Sequence, residues 1–159
     1  MILRHATIVD GPALESFDLG DTRSPWLDEV AEILSGLIAW RDDAEQTPFD
    51  RQVVIADDDG EIVAVAAHER IEHGRLGPLA EHRYLMVVAV RADRQRSGVA
   101  RVLTESVLSE MQRDGARTVG WLVHPSNLGS IAFCRTVFAQ ADETYPHEDR
   151  PYARFVLRL

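Results

Sequence analysis

The chain has 159 residues and a formal net charge of −9, enough for a single domain over 1–159 whose core needs neither disulfides nor a metal. It is 45% apolar and 27% charged, the composition of a soluble globular protein. One cysteine, Cys134, excludes a disulfide framework and a Cys-rich zinc site, and fits a reducing cytoplasm. The acidic balance opposes non-specific nucleic-acid binding, because a phosphate backbone would be repelled. It favours a cationic partner, or does no more than aid solubility.

The first residues, MILRHATIVDGP, lack the apolar core of a signal peptide, and the longest apolar run, Tyr84–Val90, falls far short of the roughly 20 residues that span a membrane. Ile2–Val9 reads as a strand, and Gly11–Arg23, rich in Gly, Asp, Ser and Thr, as a loop. Ser24-Pro25 opens a helix, a capping hydroxyl followed by proline in the first turn. Leu27, Val30, Ala31, Leu34 and Ile38 recur at helical spacing, so the helix should run to about Arg41–Asp43. Gln52–Ala56 and Glu61–His68 read as a hairpin around Asp59-Gly60. Gly74, Gly77 and Pro78 mark a loop. Tyr84–Val90 does not alternate and is expected to be buried on both faces. Val99, Val102, Leu103, Val107 and Met111 form one face of a helix that Gly115 ends. Val119–Val123 is a further strand, Pro125-Ser126-Asn127 opens a helix to about Val137, and Ala153–Leu159 alternates as a half-buried terminal strand. This order implies an α/β (α+β mixed) domain with a mixed sheet, in which the strands flanking the 99–115 helix run parallel.

The segment Arg94–Leu103, RQRSGVARVL, starts a helix with no capping side chain. Such a terminus presents free N–H groups and the positive end of the dipole, which together form an anion site. Gly98 lets a ligand approach the backbone, Ala100 keeps the next position small, and Arg94, Arg96 and Arg101 add positive charge. Neither the Gly-Lys-Ser/Thr of a P-loop nor a G-x-G-x-x-G is present.

Gln95-Arg96-Ser97-Gly98-Val99-Ala100 resembles the acetyl-CoA signature, Q/R-x-x-G-x-G/A, of the GNAT superfamily of N-acyltransferases. Its setting adds weight: an apolar strand ending in Val88-Ala89-Val90 precedes it, an amphipathic helix follows, and a later strand leads to Asn127. From there NLGSIAFCRTVF resembles the family's N-x-x-A-x-x-F-Y helix at Asn127, Ser130 and Phe133. The resemblance covers Gln52–Phe138. It implies a mostly antiparallel sheet, flanked by helices and splayed at its two parallel strands, with acetyl-CoA as donor. The main chain at Val88, Ala89 and Val90 would pair with pantetheine as an added strand does. The N–H groups of Gln95, Arg96, Ser97, Gly98, Val99, Ala100 and Arg101 would cradle the pyrophosphate, and Asn127 with Ser130 would meet the cofactor or serve the helix cap.

Acetyl transfer to an amine needs a neutral nucleophile, and an alkylamine costs roughly 4 kcal/mol to deprotonate at pH 7. The oxyanion then needs a donor, which the resemblance places near Val88. The family's acid, the tyrosine of the F-Y pair, is replaced here by Cys134, which either protonates the leaving sulfur or packs in the core. The family's glycine before the last Phe is also missing from Thr136-Val137-Phe138. His124, at the end of a strand, is the candidate base; Glu81, His82 and His68 are alternatives. Tyr145 or Tyr152 offers a replacement phenol. The histidines lack ligand spacing, so no metal is expected.

Three functions fit these residues. The first is N-acetylation of a small-molecule amine, with a cationic acceptor favoured by the charge. The second is acetylation of a protein or aminoacyl-tRNA amine: Phe17–Gly20 is faintly similar to the toxin branch of the superfamily, but a tRNA substrate calls for a basic chain. The third is a non-catalytic acetyl-CoA sensor. The terminal strand, if it lies at a sheet edge, would also suit a homodimer.

Overall fold

The structure, a computed structural model, describes residues 1–20, 25–36, 51–70, 83–144 and 152–159. In chain order its elements are β1 (Ile2–His5), α1 (Gly11–Glu15), α2 (Pro25–Gly36), β2 (Gln52–Asp58), β3 (Glu61–Arg70), β4 (Arg83–Val90), α3 (Val99–Arg113), β5 (Thr118–Val123), α4 (Leu128–Val137), β6 (Asp142–Thr144) and β7 (Ala153–Arg158). The strands form one mixed sheet in the order β1-β2-β3-β4-β5-β7-β6. Every neighbouring pair is antiparallel except β4 and β5. The β2–β3 hairpin turns on Asp59 and Gly60, both with positive φ (56° and 88°), the left-handed pair that a two-residue turn needs to match strand twist.

Strand alternation sends side chains to two cores. On one face Val54, Ala66, Leu85, Trp121 and Phe155 pack against Leu103, Val107 and Met111 of α3 and Ile131, Cys134 and Phe138 of α4. On the other, Val53, Ile55, Val65, Val87 and Ala89 pack against Leu14 of α1 and Leu34 of α2. Each fully buried aliphatic side chain contributes about 2 kcal/mol. No described helix is long and apolar enough to cross a membrane.

Several expectations need correction. The first strand stops at His5 rather than Val9, and the expected loop from Gly11 begins with α1. The cause is Asp10, which takes two hydrogen bonds from the Arg4 guanidinium (2.9 and 2.8 Å) and one each from the Thr7 N–H (2.7 Å) and hydroxyl (3.0 Å). That carboxylate fixes a 3-10 turn at Ile8–Asp10, and Pro12 then sits in the first turn of α1. The terminal strand is not an edge, because β6 pairs along Arg154–Val156 and covers it there. Nor is β4 buried on both faces: Val88 and Val90 stay half-buried. The helix end near Arg41–Asp43 and the loop at Gly74–Pro78 lie outside the described residues, as do Glu81, His82 and Tyr145.

Candidate active site

The site begins where the sheet comes apart. β4 and β5 pair only at Arg83–Val119 and Tyr84–Gly120. Beyond Tyr84 no further pairing joins them, so the parallel strands diverge toward the start of α3. A bulge on β4 accompanies the divergence: His68 opposes Leu85 and Ala67 opposes Val87, which leaves Met86 as the extra residue.

Past the bulge the ladder to β3 is regular. The Arg91 N–H reaches Val63 O at 2.9 Å. Hydrogen-bonded and non-bonded pairs alternate along antiparallel strands. Ala89, opposite Val65, therefore turns its peptide groups to β3, while Val88 and Val90, opposite Ala66 and Ala64, turn theirs into the gap. The backbone offers a ligand there the same donors and acceptors that a neighbouring strand would meet.

Directly after β4 the chain forms a tight loop. Arg91 is locked by Asp93 and Glu61 at 2.7–3.0 Å. The Ala92 N–H donates to Asp18 O at 3.0 Å, which ties the loop to the segment after α1. Ser97 Oγ donates to Arg94 O. The Gln95 N–H turns back to Ala92 O at 3.5 Å, so of the expected cradle Gln95 is the amide already engaged. Arg96 and Gly98 both have positive φ (61° and 87°). Alternating left-handed residues of this kind turn successive N–H groups to one side as an anion-binding nest.

No side chain caps α3, and its first intrahelical bond runs from the Val102 N–H to Gly98 O. The N–H groups of Val99, Ala100 and Arg101 thus precede the helical ladder. A Cβ placed on Gly98 would meet nothing within 4 Å, so the glycine borders open space. Arg94 pairs with Asp58 (3.1 Å) and Arg101 with Glu105 (2.8 Å), whereas Arg96 has no partner among the described residues. A bare helix terminus, a left-handed glycine facing open space and a free guanidinium fit a pyrophosphate, and the unpaired edge of β4 fits an amide-bearing arm. Acetyl-CoA carries both.

Across the gap, His124 follows β5. Its Nδ1 accepts from the Ser126 N–H at 3.2 Å and lies 2.7 Å from Ser126 Oγ. Asn127 caps α4, its Oδ1 accepting from the Ser130 N–H at 3.0 Å. Cys134, two turns further on, is 4% exposed, and its sulfur accepts from Trp121 Nε1 at 3.1 Å. Burial pushes its thiol up to about 11. His68 is fully buried on β3, its Nε2 4.0 Å from the Glu110 carboxylate of α3.

One group of residues was missed in the sequence. The His124 ring stands edge-on to Tyr152, centroids 5.6 Å apart, and the Tyr152 hydroxyl donates to Glu29 Oε1 of α2. Tyr84 lies close to the same charges: burial first, then Glu69, Tyr152 and Glu29, push its phenol up to about 12. Glu29 likewise raises the Tyr152 phenol above its usual value. Both phenols therefore stay protonated at neutral pH. Tyr152 is among the candidates named from the sequence; Glu29, in α2, is not. Among the described residues no set of His, Cys, Asp and Glu is grouped to hold a metal.

Comparison with known proteins agrees with this geometry. Residues 12–138 match the acetyltransferase (GNAT) family. No curated protein matches the chain significantly in sequence. Among solved structures, a putative GNAT-family acetyltransferase from Desulfovibrio desulfuricans superposes with a TM-score of 0.75 at 15% identity, covering 99% of this chain and 97% of that one. The PaiA N-acetyltransferase from Thermoplasma acidophilum, in complex with coenzyme A, gives 0.71 at 14% identity over 99% and 98%. A ribosomal-protein-alanine N-acetyltransferase from Brucella melitensis gives 0.70 at 20% identity over 100% and 99%. At these identities the structures speak to the fold, and the family match over residues 12–138 speaks to descent; the chain belongs to the GNAT acetyltransferase family.

Proposed function

We propose that this protein transfers the acetyl group of acetyl-CoA to the primary amine of a small molecule by direct attack. Acetyl-CoA is the family's acetyl donor. It supplies a thioester whose thiol has a reference pKa near 8.5, so the sulfur leaves with little help. The observation that carries the reading is the gap between β4 and β5, lined by the free peptide edge of Val88 and Val90 and opening onto the uncapped start of α3.

In this reading Val88 and Val90 hold the pantetheine amides, and the N–H groups from Arg96 to Arg101 hold the pyrophosphate. A peptide N–H near Val88 meets the charge that develops on the carbonyl oxygen. His124 takes the amine proton at Nδ1, reached through the Ser126 hydroxyl or a water beside it. Asn127 serves as helix cap. Cys134 serves the core, since a buried thiol near 11 is a poor proton donor to a thiolate of far lower pKa. Tyr152 stands beside His124, with its hydroxyl donating to Glu29.

Release of free thiol from acetyl-CoA, followed across a panel of diamines, amino acids, amino sugars and short peptides, tests the proposal. Turnover with at least one small amine is expected. Thiol release with peptides alone would move the substrate to protein amines, and acetyl-CoA binding without turnover on any acceptor would leave a sensor.

A further inference from the structure

Arg154 sits in the middle of β7, opposite Leu122 of β5 and Thr144 of β6. Its neighbours Ala153 and Phe155 point into the core under α3 and α4, so Arg154 faces the other side of the sheet, together with Tyr152. That is the side of α2, where Tyr152 meets Glu29. Arg154 is half-buried, yet among the described residues no carboxylate and no hydrogen-bond acceptor pairs with its guanidinium. Arg4, Arg51, Arg83, Arg91, Arg94 and Arg135, by contrast, each hold at least one carboxylate at 4.0 Å or less. A guanidinium withdrawn from water needs an anion to restore its lost hydration. Leu122, beside it on β5, is 38% exposed, so an apolar side chain next to Arg154 is open to solvent on this side of the sheet, with Thr144 on the other flank.

Glu29 supplies the opposite charge on the same side. One of its oxygens accepts from Tyr152, and among the described residues no ion pair engages it. Glu29 and Arg154 do not pair with each other, although Tyr152, which holds Glu29, is two residues from Arg154. A carboxylate and a guanidinium, set apart on one side of the sheet beside His124, match a molecule that carries both an ammonium and a carboxylate.

We infer that Arg154 is a specificity residue that binds the carboxylate of an amino-acid acceptor, with Glu29 drawing in its amine. This rests on the acetyltransferase reading above and narrows its substrate class. Arginine suits the role because its planar fork meets a carboxylate with two parallel hydrogen bonds.

The test compares free amino acids with their C-terminal amides as acceptors, in thiol release and in calorimetric titration of the CoA-loaded protein. The wild-type chain should favour the acid over the amide by about tenfold or more in kcat/KM and in binding. Arg154→Gln should bring acid and amide level while the KM for acetyl-CoA stays unchanged, and Arg154→Lys should recover part of the preference. Equal use of acids and amides by the wild-type protein would overturn the inference and leave the acetyltransferase reading standing. Failure to bind acetyl-CoA would strike the underlying reading instead. The wild-type comparison needs no variant, so a misfolded Arg154→Gln does not shield the inference.

Discussion

Trp121 points its indole N–H at the sulfur of Cys134, 3.1 Å away, and Phe138 and Phe155 pack on the same indole with centroids at 4.7 and 5.6 Å. The thiol that stands where the family resemblance implies a tyrosine is thus part of an aromatic core joining β5, β7 and α4. Cys134→Ala removes the acceptor of a buried donor and opens a small cavity, together worth about 1–3 kcal/mol. The melting temperature should fall by roughly 5 °C for a chain of this size. Turnover should not change. A tenfold loss of kcat/KM in a folded Cys134→Ala protein would return the thiol to the chemistry. Iodoacetamide should label the native protein slowly at pH 8, since burial holds the thiol near 11.

Gly98 carries a second prediction. At φ 87° a side chain costs about 1–2 kcal/mol, and the added methyl would project into the space assigned to the pyrophosphate. Gly98→Ala should melt only slightly lower yet weaken acetyl-CoA by about tenfold or more, read by calorimetry. Arg96→Ala should weaken it less and lower the salt dependence of binding, because it removes one exposed charge. Unchanged affinity in both variants would place the pyrophosphate elsewhere.

Acid should unlock the first turn of the molecule. The Arg4 guanidinium and the Thr7 donors hold the Asp10 carboxyl at about 2, below its ordinary value. A depressed carboxyl stabilises the fold fully above the unfolded pKa near 4 and loses that contribution as pH falls through about 2. Arg4 is 37% exposed, so solvent screens the pair, and about 1–2 kcal/mol is expected rather than the full shift. Asp10→Asn should therefore melt lower than the wild type at pH 7, with the two curves meeting near pH 2. Parallel curves between pH 7 and pH 2 would contradict this account.

The strands and helices that position the site were legible from local patterns: the β2–β3 hairpin from its Asp-Gly turn, β4 from its apolar run, and α3 from the spacing of Leu103, Val107 and Met111, although Val102, expected on the same face, is 47% exposed. The uncapped start of α3 was legible for a related reason, since a helix without a capping side chain after an apolar strand is a local pattern. What could not be read depends on distant partners. α1 begins where it does because Arg4 and Thr7 converge on Asp10, and nothing in the run ATIVDGP shows that Arg4 will be there. β6 is three polar residues, Asp142–Thr144, with no alternation to mark it, and it covers the terminal strand, whose place at or inside the sheet edge the sequence leaves open. The proposed acceptor side joins Glu29 to Tyr152 across 123 positions of sequence, a contact that no periodicity encodes.

Tyr152 and His124 give the last prediction, because their contact joins the two sides of the proposed chemistry. Tyr152→Phe removes the hydroxyl that holds Glu29, so the KM for the amine should rise by about three- to tenfold with kcat less affected. His124→Gln keeps a polar group of similar reach but cannot take up a proton, and kcat should fall by about a hundredfold. Ser126→Ala retains the backbone N–H on Nδ1 and removes only the hydroxyl at 2.7 Å, so it should fall between the wild type and His124→Gln. A folded His124→Gln protein that keeps its turnover would pass the proton-accepting role to another group, and Glu29, with one oxygen held by Tyr152, would be the next carboxylate to substitute.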